Sequence, residues 1–442
     1  MHQTLFYIPY EVFGLPVFGF GLLMILWLVG TAAASVWYWF FSPKKSASEF
    51  LTNLFLALLG GAVICFFLPR VGKLAGIPVQ SYGTMMLLGI VLAYCLAAFR
   101  AKKFGFTAEN VFSVAFVVCI CGLLGARAFY VIEYWSDFQA PTLGETLARI
   151  ANIPGGGLVV YGSIIGGILG GGIYMLVKKL SIPRMLDLLA PSMMLGLALG
   201  RIGCFLNGCC FGGMCDPAHE FWGVRFPAGS PPFNRQLEEG KIDLDSNAFY
   251  YGMCLDDDFT QTAPTSILEI QPGSLAAKVG LQPGDRILNV NEKRINPSRM
   301  QVISFLIWET RDQGKITLEI DRNGQTLTKS WVTTQNAGPT SLAVYPTQLY
   351  SSLNAAVICV ILLIYSRFRL SQNKPGMIWD GEVALLFLTI YPLTRFILEM
   401  IRNDEANALG TKFTISQNVS LVLLLTSAVL WFLLIRSKRS VQ

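Results

Sequence analysis

The chain has 442 residues, of which 53% are hydrophobic and only 14% are charged. Soluble domains carry about a quarter charged residues, so a purely soluble protein is excluded. The formal charge of +6 comes mostly from loop lysines and arginines, and it speaks to membrane topology rather than to nucleic acid, for which no partner role is expected.

A helix needs about 20 residues to cross the hydrocarbon core. Nine apolar runs are predicted as spans: Phe18–Phe41, Leu51–Leu68, Gly83–Phe99, Val111–Ile132, Leu158–Val177, Met185–Leu206, Thr347–Tyr365, Glu382–Ile401 and Ile415–Ile435. The first is too long for a removable signal peptide and lacks a small-residue cleavage site. Lysine and arginine gather in "SPKKSASEF", "RAKKFGF", "KKLSIPR", "SRFRLSQNK" and the tail "IRSKRSVQ". With nine spans these five stretches fall on one side, while the mildly acidic "EYWSDFQAPTLGETLARIANIPGGG" falls on the other. The positive-inside rule then places the N-terminus outside, the C-terminus in the cytoplasm and Asn207–Pro346 outside. The expected location is a membrane, crossed many times, with the basic loops on its cytoplasmic side.

Hydrophobicity falls after Phe211 and returns near Leu349. Between them, "SILEI" and "RILNV" alternate as strands, and "GSLAAKVG" is a short helix between turns. "RMQVISFLIWE" is a helix with Pro297 and Ser298 at its start, and "KITLEIDRNGQTLTKSWV" is a hairpin turning at "RNG". The stretch "PGSLAAKVGLQPGDRILNVN" resembles a PDZ domain in its bacterial arrangement, over roughly 250–333. That resemblance implies a peptide or protein ligand laid along a sheet edge; the alternative is a module that only packs or spaces.

Ten cysteines are present. Cys65, Cys95, Cys119, Cys121 and Cys359 sit in apolar runs as packing residues, and Cys204 ends a span. Cys209, Cys210, Cys215 and Cys254 lie in the outer segment, where oxidation is open to them. With two histidines and no CxxC pair, no metal site and no cofactor is expected.

Arginine inside a span costs about 2.5–3.5 kcal/mol, so it is paired or faces a polar cavity. Arg127, Arg201 and Arg395 are the candidates, and Asp187 lies early in the span that carries Arg201. Arg395, Glu399 and Arg402 are spaced four and three apart and share a helix face. The bland reading is a set of ion pairs closing the bundle. The sharper one is an anion site, because a guanidinium grips phosphate through a bidentate fork and a lipid phosphate is at hand. Tyr82, Tyr161, Gln348 and Tyr350 gather at span ends, and an interfacial tyrosine belt is the competing explanation for Tyr82, Tyr345 and Tyr350. The glycines around Tyr161 either let helices approach closely or open room for a lipid chain.

In chain order stand "SYGTMMLLG", "LLGARAFYVIEYW", "GGGLVVYGSIIGG", "APSMMLGLALGRIGCFLNGCCFG", "WGVRFP", "YPTQLYSSL" and "YPLTRFILEMIR". This ordered set resembles the prolipoprotein diacylglyceryl transferase family, from about Val79 to the C-terminus with the PDZ-like stretch as an interruption. The resemblance implies a polytopic α-helical membrane protein: a seven-helix core, two extra N-terminal spans and an inserted α+β domain. The divisions expected are 1–78 for the extra spans, 79–213 and 347–442 for the two parts of the core, and 214–346 for the insertion. It implies transfer of the diacylglyceryl group of phosphatidylglycerol to the lipobox cysteine of a preprolipoprotein, with release of glycerol 1-phosphate. The implied partners are that lipid and the signal-peptide region of the acceptor.

The resemblance assigns catalysis to Arg201, Arg395 and Tyr161. Tyr82, Arg127, Asn207, Gly208, Glu399, Arg402 and Gln348 are the expected substrate-binding residues. Departures from the family pattern are plain. Tyr161-Gly162 stands where the family has a histidine and glycine. Cys204 replaces a signature asparagine, and Cys209 replaces an acidic residue. "YPTQLYSS" lacks its usual histidine and glutamate. Two alternatives stay open: a phosphatidylglycerol-dependent transferase with another acceptor, and a non-enzymatic membrane anchor presenting a PDZ module.

Overall fold

The computed structural model describes residues 4–41, 54, 57–67, 77–152, 157–227, 230–242, 252–256, 265–290, 293–294, 315–332, 340–371, 380–400 and 413–441. It divides into two compact units, one of Met1–Thr84 with Cys204–Tyr345, the other of Met85–Gly203 with Pro346–Gln442.

Among the described residues eight long helices are α1 (Leu22–Phe41), α2 (Ser81–Ala101), α3 (Ala108–Glu133), α4 (Val160–Val177), α5 (Ile182–Asn207), α6 (Thr347–Ser371), α7 (Glu382–Glu399) and α8 (Ile415–Val441). Each falls on a predicted apolar run. The remaining run, Leu51–Leu68, lies partly outside the described residues and contains a short apolar helix, Ala57–Phe66. Among the described residues six helices are long and apolar enough to cross a membrane: α2 to α6 and α8. α7 has 18 residues and carries Glu382, Arg395 and Glu399.

In the Met85–Gly203 and Pro346–Gln442 unit, two apolar clusters set the helix order. The first joins Ala97 and Ala101 of α2, Val111 and Val114 of α3, Met175 of α4 and Met185 and Leu188 of α5. Thr107 starts α3 with a capping box: its hydroxyl accepts from the Asn110 N–H, and its own N–H donates to Asn110 Oδ1. The second cluster joins Ala190, Met194 and Ala198 of α5 to Ala355, Ile358 and Leu362 of α6 and Val383 of α7. Both clusters follow the 3–4 spacing of one helix face.

α3 and α4 cross through glycine. A Cβ on Gly166 would lie 2.3 Å from the Cys121 carbonyl oxygen, and one on Gly125 would lie 2.4 Å from that of Gly162. Gly162, Gly166 and Gly170 recur every fourth residue, so the backbones touch along a stripe. Of the two readings the sequence offered for these glycines, close helix approach is the one this seam takes.

Buried charges tie the same unit together. Asp187 of α5 accepts from the Gly381 N–H at 2.7 Å and the Ala384 N–H at 2.8 Å, capping α7 from a neighbouring helix. The buried Arg100 donates to the Leu188 carbonyl at 2.9 Å and the Ser366 hydroxyl at 2.7 Å. Arg369, near the end of α6, pairs with Glu382 at the start of α7. At the other end Asn354 donates to Thr394 at 3.0 Å, so α6 and α7 run antiparallel.

In the other unit, β1 (Thr4–Ile8) pairs antiparallel with β2 (Ile77–Gln80). The chain leaves α5 and later returns toward α6 through paired backbone. Gly212 N–H donates to the Tyr345 carbonyl at 2.9 Å and Tyr345 N–H to that of Gly213 at 3.0 Å. Cys215 pairs with Ala343, Val224 with Val344 and Phe226 with Ser341 in the same way. Beyond this stalk stand β3 (Met253–Leu255), β4 (Ile267–Ile270), the helix Leu275–Lys278, β5 (Arg286–Val290), β6 (Lys293–Arg294), β7 (Lys315–Arg322) and β8 (Gln325–Val332). β3 pairs with β4, and a four-stranded sheet has the order β8-β7-β5-β6. The β7–β8 hairpin turns on Asn323 (φ 53°) and Gly324 (φ 83°), the left-handed pair that a two-residue turn demands. Buried Phe233 and Leu237 join Leu255, Ile267, Ile287, Leu318 and Trp331 in one core. Phe233 and Leu237 come from the helix Pro231–Glu238, which packs into this core from before residue 250. The predicted helix "RMQVISFLIWE" lies outside the described residues.

Candidate active site

Four helix ends are brought to one level by the contacts above. Met185 and Leu188 of α5, Val111 and Val114 of α3 and Met175 of α4 share a cluster at one end of the unit. Arg201, Arg127 and Tyr161 each lie 13 to 16 positions from those residues along their own helices. At a rise of about 1.5 Å per residue, all three stand about 20 Å away from that cluster, at the opposite end.

α7 reaches the same level. Its start is pinned to Asp187, and both Arg201 (counted from Asp187) and Arg395 (counted from Gly381) lie 14 positions further on. Fourteen residues fall about 40° short of four full turns, so each arginine returns near the face that meets the other helix. α6 confirms the register. Ser352 donates to the Ala198 carbonyl at 2.8 Å, and Asn354, two residues on, donates to Thr394. Ala198 is one turn before Arg201, and Thr394 adjoins Arg395. Gln348, one turn before Ser352, is fully buried.

The two arginines differ in what holds them. Arg395 Nη2 is 2.7 Å from Glu399 Oε2 and donates to the α8 Ser416 hydroxyl at 3.3 Å. Glu399 is 2% exposed, so this pair is dry and the guanidinium is held in place. Arg201 is half-buried, and among the described residues no hydrogen bond or ion pair ties its guanidinium. A half-buried cation on an apolar helix, left to find its partner elsewhere, suits an incoming anion.

Two other groups in the unit bind backbone. Arg127 is 7% exposed and donates to the carbonyls of Arg149, Ile150, Asn152 and Gly157 at 2.8–3.0 Å. Tyr130 and Phe138 flank it, with ring centroids 5.7 and 5.1 Å from its guanidinium carbon. Two of these carbonyls belong to the last turn of the helix Leu143–Ala151, and Asn152 caps it. Asp187 is likewise a cap. Tyr161 is the second residue of α4 and 40% exposed.

Residues 69–281 and 316–433 match the family description "Prolipoprotein diacylglyceryl transferase", and residues 266–322 match a PDZ domain. A phosphatidylglycerol–prolipoprotein diacylglyceryl transferase of Rhodopirellula baltica is 31% identical over 98% of this chain and 89% of its own length. The chain belongs to the prolipoprotein diacylglyceryl transferase family. Relatives of the same name from Clostridium tetani and Clostridium perfringens are 38% and 34% identical. They align with 33% and 41% of this chain and with 55% and 71% of themselves. The protein is an integral-membrane enzyme, with long apolar helices and a PDZ domain.

The other expected site residues lie in the first unit. Tyr82 is the second residue of α2 and is 38% exposed. Asn207 closes α5, and Gly208 (φ 79°) turns the chain with its N–H on the Cys204 carbonyl at 2.8 Å, a left-handed helix cap. Cys210 is left-handed too (φ 57°), a conformation that costs an L side chain about 1–2 kcal/mol. The two turns fold Cys209 and Cys210 back onto Cys204, and the three sulfurs lie within 4.8 Å of one another. Metal-motif spacing gave no sign of this cluster; a glycine cap between the cysteines is the signal that would have. Burial, with Glu220 and Asp216 nearby, pushes the Cys215 thiol up. Arg402 lies outside the described residues.

Proposed function

We propose that this enzyme transfers the diacylglyceryl group of phosphatidylglycerol to the thiol of a preprolipoprotein's lipobox cysteine. The single observation that carries the reading is the placing of Arg201 and Arg395 at one level of neighbouring helices. In the reaction the acceptor sulfur forms a bond to the glycerol carbon as that carbon's bond to the phosphate oxygen breaks. The electron pair leaves with glycerol 1-phosphate, and the acceptor proton goes to a base or to water. Cations at the phosphate lower this barrier because the charge that builds on the leaving oxygen meets fixed positive charge in a dry site.

Arg201 takes the role of direct phosphate partner, and Arg395, held by Glu399, the role of a preset second charge. Gln348, Tyr82, Asn207, Gly208 and Arg402 are assigned to substrate binding on the family resemblance. Arg127 acts through the loop it holds. Tyr161 replaces the family histidine. A phenol with a pKa of about 10 is a weak base at neutral pH, so Tyr161 orients the acceptor rather than deprotonating it. We place the enzyme in the bacterial inner membrane with nine spans, seven of them the transferase core. The N-terminus and the insertion lie outside and the C-terminus in the cytoplasm. The PDZ domain binds an extended peptide along a sheet edge.

Complementation of cells depleted of their own diacylglyceryl transferase tests this, reading the mass of a model lipoprotein. The wild-type chain should add the diacylglyceryl mass. A correctly inserted, well-expressed chain that adds nothing would turn the reading toward another acceptor or an anchor.

A further inference from the structure

We propose that Cys204, Cys209 and Cys210 form a three-thiolate site for one thiophilic d10 cation, Zn2+ or Cu+. Their sulfurs already lie within 4.8 Å of one another. Thiolates around a single zinc, each about 2.3 Å from it, stand about 4 Å apart, so closure needs a shift below one ångström. All three side chains are half-buried, which gives an ion a way in and still excludes bulk water. No disulfide joins them, although Cys209 and Cys210 are adjacent in sequence. Cys209 Sγ instead donates to the Cys204 carbonyl at 3.7 Å, a weak contact that an ion would replace.

The turn that makes the cluster is specific. A helix cap at Gly208 brings Cys209 back over the last turn of α5, and the left-handed backbone at Cys210 aims the third sulfur at the same point. Three soft ligands with no imidazole or carboxylate among them select thiophilic metals over Mg2+ or Ca2+. With Zn2+ a fourth position stays open for an outside ligand. Binding releases thiol protons to water, one for each thiol that ionises.

The test uses the full-length chain in detergent, purified under reductant and stripped of metal. Co2+ is added as the probe, and metal content is measured after equilibration with Zn2+ and, separately, with Cu+. The expected result is one equivalent bound, with a thiolate-to-cobalt charge-transfer band. That band should be lost in the Cys204→Ser/Cys210→Ser variant and kept in Cys215→Ser. Chelator competition decides between zinc and copper. If the double variant fails to fold, the wild-type chain still answers: bound metal should protect three thiols from alkylation. No charge-transfer band in the reduced wild-type chain, a band that survives the double variant, or no protection would each overturn the site. None of these readouts depends on diacylglyceryl transfer, so the site and the proposed reaction stand or fall separately.

Discussion

Arg395 and Glu399 form an ion pair of 2.7 Å across one turn of α7, with the carboxylate shut away from solvent. Removing one partner leaves the other as a buried, uncompensated charge, which costs about 3–5 kcal/mol. Glu399→Ala should therefore lower the thermal midpoint in detergent as well as the transfer rate. A double change of Arg395 and Glu399 to methionine should recover most of the stability and none of the activity. If it recovers both, the pair is only structural.

Arg201 behaves differently, because among the described residues nothing holds its guanidinium. Arg201→Ala should change stability by no more than about 1 kcal/mol, the loss of partial packing without a broken ion pair. Transfer should fall by about 100- to 1,000-fold, the loss typical of one donor at a developing negative charge. A thermal shift beside a lipid-transfer assay separates the two effects.

The glycine seam between α3 and α4 leaves no space for a side chain. Gly166→Leu should push the helices apart and sharply reduce the yield of folded protein, measured by size-exclusion chromatography in detergent. Gly172→Ala, at a position with open space around its missing Cβ, should be tolerated.

Arg127 holds four carbonyls of the segment 149–157 at once. Arg127→Met keeps much of the bulk and removes the donors. Amide exchange should rise across 137–152, and transfer should fall with the fold of the helices intact. Unchanged exchange there would dismiss the clamp.

In the PDZ domain, Arg322 forks onto Asp285 at 2.6 and 2.7 Å, and Asp285 also accepts from the Gln282 N–H at 2.9 Å. Asp285 raises the Arg322 pKa further above its usual range. Asp285→Ala should cost about 3 kcal/mol, since it strands a guanidinium and an N–H together. The loss should appear as an earlier unfolding step by calorimetry.

The helices were legible in sequence because apolar length alone announces them, and the β7–β8 hairpin because "NG" admits few other turns. The arginines were legible as anomalies: a charge on an apolar helix needs a reason. What joined them was not. Their common level depends on Asp187 capping α7 and on Ser352 and Asn354 reaching two different helices, contacts that span 40 to 197 residues. Asp187 read as half an ion pair because a carboxylate capping a distant helix has no local spacing. The cysteine cluster was hidden for a different reason. Its ligands are brought together by backbone handedness at Gly208 and Cys210, which a motif search does not weigh.

The paired backbone between Gly212–Phe226 and Ser341–Tyr345 fixes where the segment between α5 and α6 leaves and where it comes back. The entropy of closing a loop grows only slowly with its length, so the stalk sets a nearly constant cost whatever lies beyond it. Roughly a hundred residues can then be gained, exchanged or lost past Phe226 with no change in the spacing of the two strands that hold them. For evolution and for the engineer alike, the stalk is a socket: the catalytic chain is written in two pieces, and what is plugged between them can vary on its own.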